Sequence, residues 1–267
     1  MAGAGQIRVG IGGWTYEPWR SNFYPAKLSH ARELAYAAEH VTAIEVNGTY
    51  YRLQSRDSFA RWASETPDDF MFTIKASRFC TNRRVLADAG EAISRFIGQG
   101  LVALGAKLGP ILWQFMATKQ FDRDDFAAFL ALLPEREEGV RLRHALEVRH
   151  ESFVTPEFVD LAREAGAAIV FADSADYPEL ADPTADFIYA RLQQAEAQEP
   201  AGYAPDALDR WTDVARQWAA GKQPSDLRYA GKRGKSSSGR DVFMFFINGA
   251  KERAPAGAQA LIARLGA

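Results

Sequence analysis

Eight short runs rich in β-branched and aromatic residues, at 7–11, 42–46, 70–75, 111–115, 145–149, 167–173, 187–192 and 242–247, constrain how this chain can fold. Apolar residues at helical spacing fill most of the gaps, over 28–40, 55–65, 87–108, 124–133, 155–166, 206–220 and 256–265. Thr155-Pro156 reads as a helix cap followed by proline at the first helical position, and Gly166 as that helix's stop. The sixth connection, 174–186, is loop-like. Eight strands with helices in most of the gaps in 267 residues predict an α/β fold, a (β/α)₈ TIM-type barrel in one domain spanning 1–267. Residues 1–6 and the basic stretch 231–240 are expected to be flexible.

A doubly wound open sheet is the competing architecture. Gly10-Ile11-Gly12-Gly13-Trp14-Thr15 follows the first strand, but the third glycine of the dinucleotide fingerprint is missing. Gly234-Lys235-Ser236 ends like a phosphate-binding loop, yet Tyr229 stands where its first glycine belongs and no strand leads in.

Charged residues inside the strand runs carry the functional signal. Side chains alternate along a strand, so in 42–47 Glu45 and Asn47 oppose Ile44 and Val46. In 145–149 Glu147 and Arg149 oppose Leu146 and Val148. Barrel strands turn an apolar face to the helices and collect polar groups inside at their C-terminal ends. The same reasoning brings Lys75, Gln114, Asp173, Arg191 and Asn248 to that mouth. Glu45, Glu147 and Asp173 then face Lys75, Arg149 and Arg191. A desolvated charge is tolerated when paired, so one reading is a closed salt-bridge lattice. The other is a pocket for a small polar or anionic ligand, because apolar residues would plug a barrel at lower cost.

At these residues the sequence resembles the YecE-like family, a barrel family of unknown function. The resemblance covers about residues 7–250. It rests on Gly10-Ile11-Gly12-Gly13-Trp14, Trp19, Phe23-Tyr24-Pro25, Glu45-Val46-Asn47-Gly48-Thr49-Tyr50-Tyr51 and Phe70-Met71-Phe72-Thr73-Ile74-Lys75. Gly109-Pro110-Ile111-Leu112-Trp113-Gln114-Phe115 and Glu147-Val148-Arg149-His150-Glu151-Ser152-Phe153 complete it. It implies a TIM-type barrel and no established reaction. The chain departs from the family pattern at Thr81-Asn82, at Gln193-Gln194 and at Ile247-Asn248, so two histidines expected at the mouth are absent.

The chemistry expected of the site follows from its residue types. Glu45 and Glu147, on strands nearly opposite in an eight-membered ring, would bring carboxyls to roughly 5–9 Å, a separation that suits acid–base work on a glycosidic bond. These two and Asp173 are the candidate catalytic residues. Lys75, Arg149 and Arg191 suit a phosphate or carboxylate. Asn47, Gln114, His150 and Asn248 could orient the ligand, and the rings of Trp14 and Tyr50 could stack on it. The reaction class is a hydrolase or lyase on a phosphorylated or sugar-like substrate. The alternatives are a nucleic-acid-associated phosphodiester-binding protein and a non-catalytic anion-binding module.

Four histidines and one cysteine, Cys80, leave no basis for a zinc cluster, so no metal site or cofactor is assigned. An oxygen-rich Mg²⁺ or Mn²⁺ site on Glu45, Glu147 and Asp173 stays open. A net charge of −2 supplies no field that recruits nucleic acid. No signal peptide and no membrane-spanning apolar run is evident, so a cytoplasmic protein is expected. Nothing in the pattern specifies an oligomeric state.

Overall fold

A computed structural model describes residues 3–234 and 238–266. Lys235 and Ser236 of the phosphate-loop-like stretch, with Met1 and Ala2 of the N-terminal arm, therefore lie outside the described residues.

Eight parallel strands close into a barrel: β1 Ile7–Gly12, β2 Ala43–Val46, β3 Met71–Lys75, β4 Leu108–Gln114, β5 His144–Glu147, β6 Ala168–Asp173, β7 Phe187–Leu192 and β8 Asp241–Phe246. Each pairs with its neighbours in sequence, and β1 closes on β8 through Ile7↔Val242 to Ile11↔Phe246. Side-chain alternation sorts the strands into two apolar clusters. Ile11, Ile44, Phe72, Trp113 and Phe171 face outward into the layer shared with the helices. Ala43, Leu112, Val170, Phe187 and Phe245 fill the interior. Each large side chain buried this way contributes about 1.5–3 kcal/mol.

Helices α1 Glu33–Ala38, α2 Arg56–Ser64, α3 Arg78–Thr81, α4 Gly90–Ile97, α5 Arg123–Ala131, α6 Pro156–Glu164, α7 Pro205–Ala219 and α8 Ala254–Gly266 run between and after the strands. The expected cap is present: the Thr155 hydroxyl accepts from the Phe158 amide, and Pro156 opens α6. Trp211 and Trp218 of α7 pack edge-on against Phe171 of β6. The connection between β6 and β7 holds no helix, as its sequence indicates. No helix among the described residues is long and apolar enough to cross a membrane.

One expectation needs correction, and two features add to the pattern. The helical pattern over 87–108 is interrupted after α4 and resumes as 3₁₀ turns over Leu101–Lys107. Gly100 between them adopts φ 98°, and a Cβ there would meet the Arg56 Cβ at 2.6 Å. Residues 136–141 form a small hairpin, Arg136–Glu137 against Val140–Arg141. Its turn residues Glu138 and Gly139 both have positive φ, the twist that suits a two-residue connection. Asp182 in the loop-like connection after β6 is buried, and its carboxylate accepts from the Ala230 and Gly231 amides.

Candidate functional site at the C-terminal end of the barrel

Strand register sets a polar layer near the top of the barrel interior. Gly12 lies beside Glu45, Glu45 beside Thr73, Lys75 beside Leu112, Gln114 beside Glu147, and Ala172 beside Arg191. Gly12 and Ala172 bring almost no side chain to this layer, which leaves space for the long arm of Arg191.

Arg191 is the hub. Its Nε and Nη2 donate to the two oxygens of Glu45 at 3.1 and 3.0 Å, and its Nη1 donates to Glu147 Oε2 at 2.5 Å. Glu45 also accepts from the Tyr189 hydroxyl at 2.7 Å and from Asn47 Nδ2 at 3.0 Å. Glu147 accepts from Gln114 Nε2 at 2.8 Å and from Arg149 Nε and Nη2 at 3.0 and 2.9 Å. All four carboxylate oxygens thus have at least two donors each. Glu45 and Glu147 are fully buried and Arg191 is 2% exposed, so this saturation is what makes the charges tolerable.

Lys75 is left over. It is 9% exposed, yet among the described residues no acceptor or carboxylate is bonded to its Nζ, which lies 4.5 Å from the centre of the Tyr50 ring. Its backbone is fixed by the Thr49 hydroxyl, which donates to the Lys75 carbonyl at 2.7 Å. The layer therefore holds three cations, Lys75, Arg149 and Arg191, against two anions.

The electrostatics follow from this imbalance. Burial disfavours the charge of Glu147, but Arg191 and then Arg149 outweigh burial and hold its carboxyl at about 2, below the ordinary 4.5. Burial and then the neighbouring Arg191 push the Lys75 ammonium down from 10.5 to about 8, against the opposing pull of Glu45 and Glu147. Burial, then the charge of Glu45, raises the Tyr189 phenol well above its usual value, so Tyr189 is a fixed donor.

Of the residues expected at the mouth, Glu45, Asn47, Tyr50, Lys75, Gln114, Glu147, Arg149 and Arg191 are brought together. Arg149 stacks on Tyr177, its guanidinium carbon 4.2 Å from the ring centre. The expectation of an open gap between the carboxyls gives way to a guanidinium that fills it. Asp173 is not with them. Ala172, not Asp173, pairs with Arg191, so Asp173 falls on the outer face with Phe171 and Leu192. Its carboxylate accepts from Gln194 Nε2 at 2.6 Å and from Tyr203 Oη at 2.9 Å. The three carboxylates proposed for Mg²⁺ or Mn²⁺ are therefore separated. Among the described residues no three His, Cys, Asp or Glu side chains cluster as metal ligands.

Trp14 packs edge-on against Trp62 of α2 at 5.1 Å, in the apolar cluster under the loop after β1. His150 caps a short 3₁₀ turn, its Nδ1 accepting from the Ser152 amide at 3.1 Å. Asn248 is exposed and donates to Gln193 Oε1 at 3.2 Å. Cys80 is buried, and burial pushes its thiol up to about 12.

Sequence reasoning missed Thr73, Tyr189 and Tyr177. For the first two a signal existed: counting back two residues from Lys75 and from Arg191 lands on the same strand face. The Thr73 and Tyr189 hydroxyls meet at 2.9 Å. Tyr177 lies in an irregular loop, where no such count applies. The two positions where the family pattern carries histidine are also occupied by amides. Asn82 donates to the Tyr50 hydroxyl at 3.0 Å, and Gln193 is buried with its Nε2 unpartnered among the described residues.

A family model described as "Protein of unknown function DUF72" matches residues 8–267. The UPF0759 protein YunF of Bacillus subtilis (strain 168) is 25% identical over 160 residues, which cover 58% of this chain and 54% of that protein. The UPF0759 protein YecE of Escherichia coli (strain K12) is 28% identical over 150 residues, covering 55% of this chain and 50% of that protein. The chain spans about half the length of the curated relatives it matches. Among solved structures, a DUF72 family protein from Thermotoga maritima MSB8 matches with a TM-score of 0.74 at 21% identity. That match covers 98% of this chain and 100% of the other, and it bears on the fold alone.

Proposed function

The chain belongs to the DUF72 family of proteins of unknown function, and from that premise we propose that the C-terminal end of its barrel binds a small phosphate- or carboxylate-bearing ligand through Lys75 and Arg149. The observation that carries this reading is the saturation of Glu45 and Glu147 by other donors, which leaves Lys75 buried with no carboxylate bonded to it among the described residues. Such a cation destabilises the folded protein unless an anion joins it. Arg149 acts on Lys75 from the end of β5, and the Tyr50 ring lies against its Nζ.

For a hydrolase or lyase on a phosphorylated or sugar-like substrate, the geometry favours Lys75 over the glutamates as the proton-trading group. Glu147 stays ionised down to about pH 2, and Arg191 occupies the space where a scissile bond would have to sit between the two carboxyls. A general acid or base works best with a pKa near the operating pH, and Lys75 at about 8 meets that condition. Glu45 and Glu147 then hold Arg191 and shape the local field.

Inorganic phosphate tests this reading in a thermal melt. At a phosphate concentration about 100-fold above its Kd, binding adds about 2.7 kcal/mol, which corresponds to roughly 5–10 °C for a chain this size. Lys75→Gln and Arg149→Gln should each abolish most of that shift while still melting cooperatively. An undiminished shift in both variants would move the anion site elsewhere.

A second reading has its own observation. The turn after β2 and helix α3 expose Tyr51 (67%) and Phe79 (59%) beside a cavity of about 360 Å³ that Ser77, Arg83, Glu91 and Arg95 also line. Exposed rings among guanidinium groups suit single-stranded nucleic acid. Binding of a labelled DNA oligonucleotide should weaken steeply with salt and fall several-fold in Phe79→Ala. No binding at low salt eliminates this reading.

A further inference from the structure

We propose that Lys75 condenses with the carbonyl group of an aldehyde or ketone that also carries a phosphate or carboxylate, forming an imine at Nζ. The proposal rests on the anion-binding reading above and adds to it the identity of the reacting atom and the substrate class.

The geometry supplies what a condensing amine needs. A lysine used only for charge would be expected to pair with the adjacent carboxylates, but Glu45 and Glu147 are already saturated by Arg191, Arg149, Gln114, Asn47 and Tyr189. With no acceptor holding its protons among the described residues, Nζ is free to present its lone pair to a ligand. The charged groups that face it are Glu45 of β2, Glu147 and Arg149 at the end of β5, and Arg191 of β7. The Tyr50 ring from the loop after β2 covers one side. The ring and the two carboxylates favour the ammonium, whereas burial and the two guanidiniums favour the free amine. The free amine becomes available at about pH 8, close to the range in which condensing lysines operate.

The step balances without an oxidant or reductant. The Nζ lone pair forms a bond to the carbonyl carbon, and one of the two Nζ protons passes to the carbonyl oxygen to give a neutral carbinolamine. The C–O bond then breaks, the hydroxyl leaves as water with the remaining Nζ proton, and the nitrogen lone pair forms the C=N bond. Protonated, the iminium has the charge of the ammonium it replaces. The substrate's own anion then supplies the counter-charge that this layer lacks, beside Arg149.

The test uses glycolaldehyde phosphate as the anionic carbonyl and glycolaldehyde as its neutral counterpart, with sodium borohydride to reduce any imine to a stable amine. Intact mass and peptide mapping should show one adduct from glycolaldehyde phosphate, on the peptide holding Lys75. It should form at least about tenfold faster than labelling of Lys251, a half-buried lysine set over the Tyr16 ring, and it should outpace glycolaldehyde at Lys75 by a similar factor. Trapping should increase from pH 7 to pH 9, and inorganic phosphate should compete. Lys75→Arg keeps the positive charge and should keep the phosphate melting shift while losing the adduct. A phosphate shift in the wild type with labelling spread evenly over the lysines would overturn the imine and leave anion binding standing. Absence of both would overturn both, and Lys75 labelling that phosphate does not compete would overturn the substrate class.

Discussion

Replacing Arg191 with methionine should lower the stability of this protein by about 3–5 kcal/mol, the cost of removing one partner from a buried ion network, or roughly 10 °C or more in melting temperature. The reason is specific. Arg191 donates to both Glu45 and Glu147, and both carboxylates are fully buried. Without it Glu45 keeps only Tyr189 and Asn47, and neither carries a charge. The pH dependence should identify the cause. In the wild type the Glu147 carboxyl sits at about 2 when folded and at about 4.3 when unfolded. Its stabilising contribution, on the order of 3 kcal/mol, is therefore fully present above pH 4.5 and is lost as the pH falls towards 2. In Arg191→Met the folded carboxyl loses its largest counter-charge and rises, so the deficit against the wild type should be greatest near neutrality and shrink below pH 4.5. Adding Glu45→Gln and Glu147→Gln to Arg191→Met should recover part of the loss, because the stranded carboxylates are then neutral, while Lys75 and Arg149 lose the anions they face. Denaturant titrations at pH 7 and pH 4 measure all of this. A single variant within about 1 kcal/mol of the wild type at pH 7 would show that the network is not what holds the barrel top.

The barrel was legible in the sequence because its strands obey two constraints at once. Ile44 and Val46 must pack under helices, while Glu45 between them cannot, so the alternation shows in the letters and fixes the inward face. The same logic placed Lys75, Glu147 and Arg191. It failed at Asp173 for a physical reason. The run Ala168–Asp173 is apolar on both faces, as a fully enclosed parallel strand can be. Its letters do not say which parity points in, and a shift of one residue exchanges the faces. The helix over 87–108 was overextended because its apolar spacing continues through a backbone that Gly100 bends for the sake of close contact with Arg56. The saturation of the carboxylates was legible only as one of two readings, the closed salt-bridge lattice, and not in its partners. It depends on which of three cations reaches which oxygen, and that is decided by side-chain length and strand register together.

Lys75→Met should move stability the other way. Lys75 titrates at about 8 in the folded protein and near 10.4 in the unfolded chain. Below pH 8 both states carry the proton, so the folded protein bears the full cost of an uncompensated buried charge. Between pH 8 and 10.5 the folded protein has released that proton and unfolding takes it up again, so wild-type stability climbs relative to the variant. Above 10.5 both states are neutral and the difference vanishes. At pH 7 the variant is therefore expected to be more stable by about 2–3 kcal/mol, with the gap closing as the pH approaches 10.5. Glu147, which Lys75 also helps to hold down, stays ionised in both proteins from pH 7 to 10.5, so its titration does not enter the comparison. The same substitution should abolish phosphate binding and imine trapping, which is the usual relation between a strained functional group and the fold that tolerates it. A Lys75→Met protein less stable than the wild type at pH 7 would mean that the ammonium has a counter-charge in the folded state, and a lysine so paired would be neither an anion's partner nor an amine ready to react.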